Sequence, residues 1–183
     1  FAANALIKKG WDISIHEKVL VPLSGRGAGI ATYDDLAEFV YKATNNSNVL
    51  GTTARSRVSL DLDGNISASH NYPQVYTSWQ YLFSILRENI DNKCYFMGDD
   101  CIGIKQINNK AIALFEGGKE KKSDLIIIAN GIKSVLRSYV DKSANPKYAG
   151  YVGWRGVVNE NQLSAKSLVT LSNYFIVVLP YNQ

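Results

Sequence analysis

The chain has 183 residues, 46% of them hydrophobic and 20% charged, and a net charge of +4. This composition excludes a disordered or fibrous chain and fits one domain or parts of two. Basic and acidic residues are interspersed, and the tightest basic cluster, residues 119–122, is interrupted by Glu120, so it reads as a solvated hairpin edge rather than a nucleic-acid surface.

Residues 1–9 (FAANALIKK) read as the end of a helix, because alanine, leucine and lysine favour that state and Gly10 suits the stop. In WDISIHEK, Ile13 and Ile15 alternate with polar residues, which predicts a short strand ending near Glu17. Helix, glycine, strand and acid in that order make the second half of a βαβ unit. LSGRGAGI follows, with Gly25, Gly27 and Gly29 around Arg26 and Ala28. Thr32 with Asp35 predicts a capping box for a second helix, whose apolar face is Leu36, Phe39, Val40 and Ala43. Val58, Leu60 and Leu62 alternate with polar residues, Asp63-Gly64 signals a hairpin, and Ile66 and Ala68 resume the alternation. Ser78 is a good cap for a third helix with the stripe Trp79, Leu82, Phe83, Leu86 and Ile90.

Strands then dominate: CYFM, followed by IGIKQI and AIALFE joined through Asn108-Asn109. The run DLIIIA has the continuous apolar character of a buried parallel strand. It leads into Asn130-Gly131 and a helical stretch over 132–140. From residue 150 onward the runs are aromatic-rich and strand-like. No apolar run approaches the ~18 residues of a membrane span, and residues 1–9 lack the order of a signal peptide. Cys94 and Cys101 are not at metal-ligand spacing, and free thiols in a reducing cytoplasm are expected, with no metal site.

Four places carry candidate chemistry. An acid at the position of Glu17 accepts hydrogen bonds from ribose hydroxyls in dinucleotide-binding units, and a solvated strand-end glutamate is an equal alternative. Gly25, Gly27 and Gly29 let the backbone approach a flat ligand, and Arg26 adds a planar cation. Asn130 and Gly131 stand where an open α/β sheet binds ligands, beyond the carboxyl end of a strand, with Ser134 and Arg137 just after them. Trp154 and Arg155 suit an aromatic pocket through stacking and cation–π contact, against plain packing plus a surface arginine. His16 reads as a strand histidine packed between layers.

GWDISIHEK, LSGRGAGI, TSWQYLFSILR, SDLIIIANGIKSVLR and YAGYVGWRG, in that order and spacing, resemble the group A FAD-dependent aromatic monooxygenases, with GRGAGI and GYVGWRG pointing to the dihydroxypyridine branch. The resemblance implies an α/β fold: an incomplete Rossmann-like FAD-binding domain with part of a β-sheet substrate domain, of the p-hydroxybenzoate hydroxylase type. Residues 1–55 and 77–145 would form the first and 56–76 and 146–183 the second. The family's glycine loop is expected before Phe1 and its Gly-Asp motif past Gln183.

By the same resemblance, Glu17 and Lys18 hold the adenosine ribose region, and Arg26, Gly27, Ala28 and Gly29 run beside the flavin. Asn130 and Gly131 lie near its pyrophosphate and ribityl chain. The implied reaction is hydroxylation of an aromatic or N-heteroaromatic ring with O2 and NADH or NADPH, through a flavin C4a-hydroperoxide. A homodimer is left open. Two departures stand out. Asn130 replaces the family's aspartate, keeping an acceptor oxygen and losing the charge. Ser78-Trp79 stands where many relatives have an arginine. Flavoproteins with other chemistry and a non-catalytic nucleotide-binding remnant are the alternatives.

Overall fold

The computed structural model describes the chain except residues 22, 24–28, 46–49, 62, 64, 151–160, 162–173 and 177–183. Two compact units result, Phe1–Leu23 with Ile90–Ala149, and Ser24–Asn89 with Gly150–Gln183. Residues 34–88, which hold the two longer helices, fall in the second unit with the long hairpin.

In the first unit, α1 (Ala2–Ile7) ends where Gly10 takes a φ of 77° and the Trp11 N–H donates to the Leu6 carbonyl at 3.1 Å. A residue with positive φ at such a stop favours glycine, as expected. β1 (Ile15–Glu17) pairs in parallel with β5 (Tyr95–Met97), with Glu17 opposite Met97. An antiparallel meander of β6 (Cys101–Ile107), β7 (Lys110–Phe115) and β8 (Glu120–Ser123) follows. Asn108 and Asn109, with φ of 48° and 59°, make the tight turn between β6 and β7. Asparagine tolerates that left-handed conformation, and turns of this hand match the strand twist. β8 lies at the edge of the sheet with its lysines exposed, the role read for the basic cluster.

Two expectations are corrected in this unit. DLIIIA forms no strand and pairs with none among the described residues, and Leu125 and Ile127 are each about half exposed. A parallel strand requires a neighbour to satisfy its backbone, and none of the described residues supplies one. The helix expected over 132–140 is instead a short 3-10 turn, Val135–Tyr139, capped by the Ser134 hydroxyl accepting from Leu136 N–H at 3.2 Å. Its one buried residue, Leu136, is 3% exposed, and the turn packs on β6. There Gly103 leaves room for little more: a Cβ would lie 3.3 Å from both Leu114 Cδ1 and Tyr139 Oη.

In the second unit, β2 (Gly29–Ala31), β4 (Ile66–Ser78), β3 (Thr52–Leu60) and β9 (Tyr174–Ile176) form one sheet in that order. The hairpin falls where Asp63-Gly64 placed it, with strands longer than the alternation alone indicated. Asp61 Oδ1 accepts from the N–H groups of Asp63 and Asn65 and so shapes the turn. α2 (Asp34–Thr44) and α3 (Trp79–Glu88) supply the core with Leu50: Val40, Leu82, Ile85 and Leu86 are all under a tenth exposed. Ser78 caps α3 as read, accepting from Tyr81 N–H at 3.0 Å, and Trp79 stacks on Phe83. The capping box at α2 does not form. Tyr33 is the cap residue, and the Thr32 hydroxyl donates to the Val75 carbonyl at 2.9 Å instead, because β2 runs directly into the helix beside β4. No helix among the described residues is long and apolar enough to cross a membrane.

Leu50 is 2% exposed at the centre of this core. Leu50→Ala is expected to destabilise the second unit by about 2–5 kcal/mol, read as a lower urea midpoint. A midpoint within error of wild type would place the core elsewhere.

Candidate functional site

β1 delivers Glu17 to the carboxyl end of the parallel pair. Its Oε1 accepts from the Val19 N–H at 3.1 Å, while Oε2 makes no hydrogen bond among the described residues. The Glu17 carbonyl accepts from the Asp99 N–H at 3.1 Å, so the ends of β1 and of the chain after β5 are stitched together. Lys18 follows as an exposed residue. Gly98, with a φ of 80°, makes the turn after β5; a Cβ there would come 2.5 Å from Leu20 Cδ2.

Asp99 is the electrostatic centre of this end. Its Oδ2 accepts from His16 Nδ1 at 2.7 Å and also from the Lys119 ammonium. A carboxylate is an acceptor only, so Nδ1 carries the proton, and in the neutral ring Nε2 accepts from the Ser14 hydroxyl at 3.1 Å. His16 stacks on Phe96 with ring centres 5.0 Å apart and tilts against Phe115 at 4.6 Å, the packed strand histidine that was expected. Lys119 lies 5.2 Å from the centres of the same two rings. The Lys119 ammonium, and then the His16 ring, hold the Asp99 carboxyl below its ordinary range.

The remaining sequence candidates divide by place. Asn130 and Gly131 are exposed, with Gly131 at a φ of 85° and its carbonyl accepting from Arg137 Nη2 at 3.2 Å. No hydrogen bond joins them to Glu17 or Lys18 among the described residues. Gly29 opens β2 opposite Ser78, in the other unit. Arg26, Gly27, Ala28, Trp154 and Arg155 lie outside the described residues. Sequence reasoning missed Asp99, whose one available signal was an acid just after the second parallel strand, and Ser14, which lies just before β1, two residues from His16. It also missed Arg57 and Gln74 in the hairpin.

The fold is that of the FAD-dependent monooxygenases. The chain is similar to 2,6-dihydroxypyridine 3-monooxygenase of Paenarthrobacter nicotinovorans, with 27% identity over 164 residues that cover 89% of this chain and 41% of that protein. The solved 2,6-dihydroxypyridine-3-hydroxylase from Arthrobacter nicotinovorans superposes with a TM-score of 0.85 at 26% identity, covering 96% of this chain and 44% of the other. Klebsiella pneumoniae HpxO, solved with FAD and uric acid, shares the fold at a TM-score of 0.60 and 18% identity, over 75% of this chain and 38% of that one. The chain thus spans about two fifths of the length of these proteins. No protein-family model matches it.

Because the Asp99 carboxyl is depressed in the folded chain, its contribution to stability is present above the unfolded value of about 4 and is lost as pH falls through the folded value. Asp99→Asn is therefore expected to lower the thermal midpoint at pH 7 by about 2–4 °C and to leave it close to wild type at strongly acidic pH. A decrement of equal size at both pH values would contradict the ion-pair origin.

Proposed function

We propose that this chain is part of an FAD-dependent monooxygenase that hydroxylates an aromatic or N-heteroaromatic ring, using O2 and NADH or NADPH. The observation that carries the reading is Glu17: an acid at the carboxyl end of a parallel strand, one oxygen occupied by the local backbone and the other without a partner among the described residues. That is the pair of acceptor oxygens a ribose diol suits, since its two hydroxyls donate to strong acceptors. The residues at this end of the first unit therefore fit the adenosine half of the dinucleotide.

Within the proposal, Glu17 accepts from the ribose hydroxyls and Lys18 offers its ammonium to the same region. Arg26, Gly27, Ala28 and Gly29 run beside the flavin, and Asn130 and Gly131 approach its pyrophosphate and ribityl chain through backbone N–H groups and the Asn130 amide. Trp154 and Arg155 meet the ring substrate. Residues 1–55 and 77–145 hold the cofactor, and 56–76 and 146–183 contribute to the substrate domain. When bound, FAD supplies the redox chemistry that joins nicotinamide, O2 and ring. The chain's part is to grip it, orient it and keep water away. The substrate class proposed is a flat ring bearing hydroxyl or carbonyl groups, a reading supported by the likeness to a protein named for dihydroxypyridine.

Asn130 favours a second reading, a nucleotide-binding protein without turnover, because the amide lacks the charge of the family's aspartate.

In the natural protein that carries this chain, FAD is expected to bind with a flavin absorbance band, and added dihydroxypyridine to accelerate NAD(P)H oxidation with O2 uptake. Glu17→Ala is expected to weaken FAD by about tenfold or more, the worth of charge-assisted hydrogen bonds to the ribose. Unchanged FAD affinity in Glu17→Ala would contradict the ribose assignment. FAD binding without ring-dependent oxidation would select the second reading.

A further inference from the structure

β3 and β4 do not pair evenly. Ala54 faces Gln74 and Ser56 faces Asn71, so β4 carries an extra residue between these pairs, at Tyr72 and Pro73. A proline cannot donate to the ladder and is at home in such a bulge, and bulges re-aim side chains beside functional sites. Here the effect is visible. Arg57 is three residues from Ala54, the partner of Gln74, so a regular ladder would send Arg57 and Gln74 to opposite faces. The bulge brings them together: Arg57 Nη2 donates to Gln74 Oε1, and the guanidinium carbon lies 4.2 Å from the centre of the Tyr72 ring.

The residues around Arg57 hold it rigidly and leave it electrostatically incomplete. Gln74 is 7% exposed, its Oε1 accepting also from the Tyr76 hydroxyl at 3.1 Å and its Nε2 donating to the Thr32 carbonyl at 3.3 Å. Arg57 Nε is buried with no hydrogen-bond partner, and no carboxylate pairs with the guanidinium among the described residues. A half-buried cation with only neutral partners is costly unless an anion or strong acceptor completes it. Tyr72, 48% exposed, presents an aromatic face at the same place. A fixed planar cation beside an open aromatic ring is the complement of a flat ring that carries an anionic or carbonyl oxygen.

We propose that Arg57, aligned by Gln74 and flanked by Tyr72, is a substrate-recognition residue that pairs with a ring oxygen of the aromatic substrate. Gln74 is the positioning residue, acting through Arg57. The assignment rests on the monooxygenase reading for the identity of the ring but not for the binding chemistry, which the second unit carries in its own residues.

The test compares two rings of the same shape, 2,6-dihydroxypyridine and 2,6-diaminopyridine, binding to the natural protein by calorimetry, with FAD binding measured separately. Wild type is expected to prefer the oxygen-bearing ring by about tenfold or more. Arg57→Gln removes that preference while FAD affinity is unchanged. Arg57→Lys, which keeps the charge without the planar fork, retains part of it, and guards against a folding defect in the glutamine variant. Gln74→Leu lowers the preference although it removes no charge. Absence of any preference in wild type, or equal weakening of both rings by Arg57→Gln, overturns the proposal. Loss of FAD binding in wild type overturns the flavoprotein reading alone, because the ring preference is scored without it.

Discussion

One carboxylate fastens the end of the first unit. β1 and β5 are three residues each and pair over only three register positions, too little ladder to stay closed without help. Asp99 supplies that help. Its backbone N–H reaches the Glu17 carbonyl, and its side chain collects the His16 imidazole from β1 and the Lys119 ammonium from the connection before β8. Phe96 and Phe115 pack against the His16 ring and hold it in the orientation that meets Asp99. The position of Glu17, and with it the ribose site of the proposed function, depends on this tie.

The second unit is organised by a different constraint, the long hairpin of β3 and β4. Its turn is shaped by Asp61, and β4 runs directly into α3, which supplies Leu82, Ile85 and Leu86 to the core. Gly51 marks how close the base is drawn: a Cβ there would lie 2.0 Å from the Tyr76 carbonyl oxygen. The bulge at Tyr72 and Pro73 breaks the alternation between these fixed ends. A polar cluster consequently sits within a sheet whose pattern would otherwise separate its members.

Local signals in the sequence were legible wherever one principle dominated. Ser78 as a cap, Asn108-Asn109 as a tight turn and the apolar faces of α2 and α3 each follow from neighbours within a few residues. The misses come from long-range competition. Thr32 prefers the Val75 carbonyl, 43 residues away, to its own helix. DLIIIA has the composition of a buried strand, but composition does not specify a hydrogen-bonding neighbour. Of the candidate site, Glu17 was legible from its place after helix, glycine and strand. Asp99 and Arg57 were not, because each takes its meaning from residues more than a dozen positions away: His16 and Lys119 for one, Gln74 and Tyr72 for the other.

The central claim is that the first unit grips a dinucleotide through the acid at the end of β1. A crystal structure of the natural protein grown with FAD decides it most directly. The account requires the adenosine ribose at Glu17, with a carboxylate oxygen 2.6–3.0 Å, within ordinary hydrogen-bond reach, from a ribose hydroxyl and the Asp99 tie intact. A ribose bound elsewhere, with Glu17 turned to solvent, would contradict it.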